Sequence, residues 1–297
     1  MAVWPEITEP ELLERFARSD EEFPASAEQL MAQVPPRVYD DAAYERAIGY
    51  PWSRPARSYI LSDSEVQLLE DLRADERESL LEHFVADRGP QSRVRVLAFG
   101  SNGAPGTLTQ KFAHFPDKED RMVLVLAGQL EEFDVGAAAQ PTLYGSMPAT
   151  LFPSPTTAVR AAVLLVTPAQ FTQLAWSELS YRLGWLETPF VADEPEFSLG
   201  GTLVFISRFG AFCIDGEPVA MQSIPASGRS AQALTQVQLL EVAAGMALGS
   251  GARADALVRA LYEDPAGAFR ATQAVRSAGR AFASDRLTLL PAWAGRG

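Results

Sequence analysis

The stretch VRVLAFGSNG, residues 94–103, joins a short apolar run to a turn that contains two glycines. The Val- and Leu-rich run from residue 94 to Phe99 predicts a β-strand, and Gly100 marks its end. A turn of this kind can present successive backbone N–H groups to an anion such as a carboxylate. The stretch therefore predicts a strand followed by a turn that could bind a ligand.

The residues around the turn disfavour two other interpretations of it and leave a third open. A phosphate-binding loop needs Lys followed by Ser or Thr after its last glycine, but here Gly106 precedes Thr107 and Leu108. A nucleophile elbow needs Gly two residues before the serine, and Phe99 occupies that position before Ser101. An ordinary turn without a ligand remains compatible with these four residues alone.

The region after the turn alternates short apolar runs with turn residues, and only one helix is predicted within it. The helix is expected over residues 168–179, because Pro168 occupies its first turn after Thr167. Strands are predicted at 121–127, 130–135, 142–152, 158–166, 181–186, 202–207, 211–214 and 219–224. Many short strands with few helices between them favour an α+β fold around a small mixed β-barrel.

The two ends of the chain have a helical pattern instead. We expect residues 1–92 to be a helical N-terminal extension, residues 93–228 to be the barrel domain, and residues 229–297 to be a C-terminal helical segment that packs on the barrel. The two helical segments could also form the interface of a homodimer.

Three motifs in order resemble the gamma-glutamylcyclotransferase-like family. They are the aromatic-Gly-Ser-Asn run that begins at Phe99, the stretch GSMPATLFPSP at 145–155, and an acidic residue shortly before a Tyr-Arg pair, ELSYR at 178–182. The resemblance implies an α+β, gamma-glutamylcyclotransferase-like barrel flanked by helices, and it covers somewhat under half of the chain.

The resemblance also implies a reaction and the residues that perform it. Glu178 would act as general acid/base while the substrate's α-amino group attacks its own γ-carbonyl, which releases an amine and forms 5-oxoproline. The substrate, a γ-glutamyl compound, would be bound by Phe99, Gly100, Ser101, Asn102, Gly103 and Tyr181. This chemistry needs neither a metal nor another cofactor.

Two alternatives to that activity remain open at this point. The chain could be a non-catalytic ligand-binding or protein-interaction module that retains the barrel, with Glu178 as a helix-end residue at the surface. A serine hydrolase that uses Ser101 is a more distant alternative.

Composition limits the choice of partners and location. The net charge of −13 disfavours nucleic acid and anionic membranes, and the single cysteine, Cys213, is expected to be a buried apolar residue rather than part of a metal cluster. The N-terminus lacks the features of a secretory signal, and no apolar run approaches the roughly 20 residues of a membrane helix. A cytoplasmic protein is therefore expected.

Overall fold

The computed structural model describes residues 7, 9–85, 93–187, 190–194 and 197–290, and it shows an α+β fold. The helices are α1 Pro10–Ala17, α2 Phe23–Gln33, α3 Asp41–Ile48, α4 Ala74–Val85, α5 Pro105–Phe112, α6 Pro168–Ser177, α7 Gln236–Leu248, α8 Ala254–Glu263, α9 Pro265–Ala271 and α10 Gln273–Ser277.

The described strands form one large sheet and one small sheet. They are β1 Tyr59–Ser62, β2 Glu65–Leu68, β3 Val94–Ala98, β4 Val123–Ala137, β5 Ala149–Val166, β6 Tyr181–Leu186, β7 Phe190–Ala192, β8 Ser198–Leu199, β9 Thr202–Ser207, β10 Ala211–Ile214, β11 Glu217–Pro218, β12 Ala220–Met221, β13 Ala226–Ser227, β14 Ala233–Leu234, β15 Gly279–Arg280 and β16 Leu287–Leu289. Strands β10, β11 and β15 form the small sheet, and the others belong to the large one.

The expectation of a closed barrel is wrong, because the large sheet is open among the described strands. Its main path runs β14-β12-β4-β5-β3-β9-β6-β16, and the terminal strands β14 and β16 do not pair with each other. Extra strands extend the sheet beyond β4 on one side and beyond β6 on the other, so these edges pair outwards instead of closing.

Two long strands replace four of the predicted short ones. β4 continues through Gly128 and Gln129, where the sequence predicts a break, and pairs antiparallel with β5 along most of its length. The register shifts between Glu131 and Phe133, where Glu132 has a positive φ of 66°. This β-bulge shifts the register without ending β4, and the pairing with β5 resumes at Phe133.

Strands from both flanking segments join the central sheet. Tyr59 of β1 pairs with Val125 of β4, and Leu287 of β16 pairs with Leu186 of β6. The N-terminal ninety residues are thus not exclusively helical. The three-part domain division at residues 92 and 228 stays a prediction.

The large sheet has helices on both faces, and β3 shows how its residues divide between them. Val96 and Ala98 face a core that includes residues of α1, α5 and α6, whereas Leu97 and Phe99 face a core with α3, α7 and α8. This alternation follows from the two-residue period of a strand. The turn after β3 therefore emerges between two helical layers.

Among the described residues, no helix combines the length and apolar character needed to cross a bilayer.

Candidate functional site

The turn after β3 is a short 3₁₀ helix over Ser101–Gly103. The N–H of Gly103 donates to the Gly100 carbonyl at 3.1 Å, and the N–H of Ala104 donates to the Ser101 carbonyl at 2.9 Å. Within the described residues, the N–H groups of Gly100 and Asn102 donate to no protein acceptor. These two groups are the turn's available donors for a ligand.

Side chains from the N-terminal segment hold the ends of this turn by its backbone. Arg54 Nη1 donates to the Phe99 carbonyl at 3.1 Å, and Tyr59 Oη donates to the Gly103 carbonyl at 2.9 Å. At Gly100, a Cβ atom would lie 2.5 Å from Tyr50 Oη, which is too close for any other residue without a shift. The close approach of Tyr50 explains why glycine occupies this position.

Two buried tyrosines bind the N–H and the carbonyl of a single residue, Ala149, beside the turn. The N–H of Ala149 donates to Tyr50 Oη at 2.9 Å, and Tyr181 Oη donates to the Ala149 carbonyl at 2.9 Å. Burial raises the pKa of Tyr50 to about 12, and it raises the pKa of Tyr181 well above the ordinary value. Both phenols are therefore neutral at ordinary pH. We call Tyr50, Arg54, Tyr59 and Tyr181 the backbone clamp.

A second set of contacts joins polar side chains, which we call the Glu178 cluster: Asn102, Lys111, Ser177 and Glu178. Asn102 Nδ2 donates to Glu178 Oε1 at 3.1 Å, while Lys111 Nζ donates to Asn102 Oδ1 and to Ser177 Oγ, both at 2.6 Å. Lys111 Nζ also lies 3.6 Å from Glu178 Oε1, and the two side chains are 17% and 15% exposed. The amide of Asn102 thus bridges a cation and a carboxylate.

Helix ends bring these side chains together. Glu178 is the C-cap of α6, which begins with a capping box between Thr167 and Gln170. Lys111 lies in the last turn of α5, nine residues after Asn102. Burial lowers the pKa of Lys111, and the nearby charge of Glu178 opposes this effect.

A cavity of about 440 Å³ opens in front of both sets of contacts. Most of the residues predicted from the sequence line it, namely Phe99, Gly100, Ser101, Asn102, Glu178 and Tyr181. Gly103 does not line it, because its carbonyl accepts from Tyr59 and its Cα faces Arg54. The Glu178 carboxyl and the 99–102 turn therefore share one cavity.

Sequence reasoning missed the contribution of the segment before β1. Tyr50, Trp52 and Arg46 line the cavity, and Arg46 lies over the rings of Trp52 and Tyr144 at 5.7 and 5.6 Å. No described residue forms an ion pair or hydrogen bond with the Arg46 guanidinium. No local pattern signals these residues, since they reach the site only through the tertiary fold.

Sequence reasoning also missed Lys111. A signal existed in its case: Thr107 and Lys111 are four residues apart, and both line the cavity from α5. Residues at this spacing share a helix face, so a helix that begins directly after the turn can return a side chain to it.

The cavity has an apolar side, which we call the α2–α9 wall: Phe23, Ala27, Met31, Phe209 and Phe269. These residues form one hydrophobic cluster, and the rings of Phe23 and Phe209 are 5.6 Å apart. All five line the cavity. The cavity therefore joins the Glu178 cluster to a surface of aromatic and aliphatic side chains.

Other candidate chemistry is absent from this cavity. Neither His83 nor His114 lines it, so Ser101 has no histidine beside it to act as a base. Cys213 is buried elsewhere, as expected. No group of three or more His, Cys, Asp or Glu side chains in the described ranges could hold a metal ion.

Known proteins offer little help with identification. No family model matches the chain, and no curated protein matches its sequence. A solved gamma-glutamyl cyclotransferase is similar over 39% of this chain and 67% of its own, with 15% sequence identity and a TM-score of 0.32. At this level of similarity, the match shows neither the family nor the function of this chain.

Proposed function

We propose that the cavity binds a γ-glutamyl amide and catalyses its intramolecular cyclisation to 5-oxoproline, with Glu178 as general acid/base. One observation carries the proposal. The Glu178 carboxyl accepts a hydrogen bond from Asn102 and lines the same cavity as the turn at residues 99–102.

A single carboxyl group can perform both proton transfers of this reaction. Glu178 accepts a proton as the substrate's α-amino nitrogen attacks the γ-carbonyl carbon, and a C–N bond closes the five-membered ring. The protonated Glu178 then donates to the departing nitrogen as the original amide C–N bond breaks. A carboxyl held at a fixed position suits both transfers.

Available donors suit the substrate's α-carboxylate. The N–H groups of Gly100 and Asn102 are free within the described residues, and Arg46 lines the cavity without an ion-pair partner there. A carboxylate bound by these groups would be stabilised by charge-assisted hydrogen bonds. The α-amino group of the same substrate would then remain available to Glu178.

The test is release of 5-oxoproline from a panel of γ-glutamyl amides. We expect turnover by the unchanged protein and a loss of about 100-fold or more in kcat for Glu178→Gln, which removes the proton acceptor but keeps the shape. The matched control is Glu131→Gln, at an exposed position outside the cavity, which should retain full activity. Equal turnover by the two variants would assign the chemistry to other residues.

A binding module without catalysis is the second candidate, and the ion pair at Glu178 favours it. Lys111 lies 3.6 Å from Glu178 Oε1, so the carboxylate already has a cationic partner within the protein, as an ion pair with a purely structural role would. This candidate predicts saturable binding of γ-glutamyl compounds, measured by calorimetry, with no 5-oxoproline formed at any pH. Detection of 5-oxoproline at a rate that depends on Glu178 would exclude it.

A further inference from the structure

The charged groups of the cavity lie apart from the α2–α9 wall in the chain and in their contacts. Among the described lining residues, the charged ones are Arg46 of α3, Lys111 of α5 and Glu178 at the end of α6. Helices α2 and α9 contribute no charged side chain to the lining. A ligand that spans the cavity therefore meets ionic groups in one part and an apolar surface in another.

The side chains of the α2–α9 wall pack against one another and form a continuous apolar surface. Phe23, Ala27 and Phe269 are almost fully buried, and Met31 and Phe209 pack against them. Leu30, also on α2, adds a further aliphatic side chain to the lining. Covering such a surface with an apolar group releases water and is favourable in proportion to the area covered.

The size of the cavity allows more than the γ-glutamyl group. Its volume of about 440 Å³ lies within the range of sites that enclose drug-sized ligands, roughly 300–1,000 Å³. A substrate with a very small amine would leave the half-buried side chains of Leu30, Met31 and Phe209 in contact with water. An amine of larger apolar bulk would cover them.

We infer that the amine portion of the substrate is apolar, an aromatic or branched aliphatic group that lies against the α2–α9 wall. The inference rests on the proposed function, since it assigns the γ-glutamyl portion to the turn and the Glu178 cluster. It defines the substrate class as γ-glutamyl amides of hydrophobic amines.

The test compares γ-glutamyl benzylamide with γ-glutamyl methylamide, which share the γ-glutamyl group and an alkyl amine. Affinity is measured by calorimetry in the Glu178→Gln variant, and turnover is measured in the unchanged protein. We expect the benzylamide to bind at least about tenfold more tightly, because its ring covers apolar surface. Its kcat/KM should exceed that of the methylamide by a similar factor.

Matched variants test whether the α2–α9 wall causes the preference for the benzylamide. Met31→Gln keeps the length of a side chain in the wall but makes it polar, and it should remove most of the difference between the two amides. Met246→Gln makes the same change on α7, outside this cavity, and should leave the difference intact. Leu30→Gln changes a second aliphatic side chain of α2 that lines the cavity, and thermal unfolding confirms that each variant is folded.

The outcomes separate the inference from the proposed function. Equal affinity for both amides, or a preference that Met31→Gln and Leu30→Gln leave unchanged, overturns the inference while 5-oxoproline release sustains the proposed reaction. Tighter binding of the benzylamide without 5-oxoproline release sustains the apolar subsite and overturns the reaction. Binding of neither amide overturns both.

Discussion

The backbone clamp and the Glu178 cluster hold the same turn in different ways. The clamp's side chains bind main-chain atoms, and its three tyrosines are at most 8% exposed. The cluster joins side chains to one another near the surface, with Lys111 and Glu178 at 17% and 15% exposure. The difference teaches that the turn's backbone is fixed by buried neutral phenols and one cation, whereas the carboxyl is positioned closer to solvent by the Asn102 amide and the Lys111 ammonium.

The largest expected effect comes from breaking the clamp at Tyr50. In Tyr50→Phe the buried N–H of Ala149 loses its acceptor, and we expect the free energy of unfolding to fall by about 1–3 kcal/mol. Denaturant unfolding measures the change. Tyr44→Phe is the control, because its hydroxyl has no partner in the described residues, and it should stay within about 0.5 kcal/mol. Equal losses in both variants would contradict the role of the clamp.

The ionisation of the Tyr50 phenol should make the stability of the protein depend on pH in the alkaline range. Burial raises the pKa of Tyr50 from 10.0 to about 12, whereas tyrosines of the unfolded chain ionise near pH 10. Its stabilising contribution is therefore complete below pH 10 and is lost as pH rises towards 12, at about 1.4 kcal/mol per pH unit. Unfolding between pH 9 and 11 should show a shallower decline for Tyr50→Phe than for the unchanged protein. A decline as steep as that of Tyr44→Phe would refute this expectation.

The smallest effect on stability is expected in the Glu178 cluster. Lys111→Met removes the cation near Glu178 and the donor to Asn102, yet the partners stay partly exposed, so we expect about 1 kcal/mol or less of lost stability. Activity should respond more strongly, because the carboxyl loses its positioning contacts: kcat/KM for 5-oxoproline release should fall about ten- to hundredfold. A variant that loses stability but retains full activity would show that Lys111 belongs functionally with the clamp.

Local sequence was sufficient for the strands that end at clear turn residues. β6 spans Tyr181–Leu186 and β9 spans Thr202–Ser207, as predicted, and each is an apolar run bounded by polar or glycine residues. The continuity of β4 was not predictable, because Gly128 normally marks a break and here makes room for the backbone of Val191 in β7. Openness of the sheet depends on pairings between distant strands, which no local pattern encodes.

For the candidate site, the sequence predicted the cavity-lining turn and Glu178 but not the groups that hold them. Asn102 and Glu178 were identified through motif order, and they are in contact. Tyr50 could not be identified, since its partner Ala149 is far along the chain and an isolated tyrosine has many possible roles. The side chains that position a turn are set by the tertiary fold, whereas the turn itself is set by its own residues.

The Tyr50–Ala149 hydrogen bond has a consequence for the order of folding. It joins residues 99 positions apart. Closing so long a loop costs conformational entropy before the hydrogen bond can stabilise the folded state. During synthesis, Tyr50 is made well before Ala149, so the N-terminal segment cannot complete the clamp until β5 exists. We therefore expect ligand binding to appear only after the sheet has assembled, which makes binding a sensitive reporter of the last steps of folding.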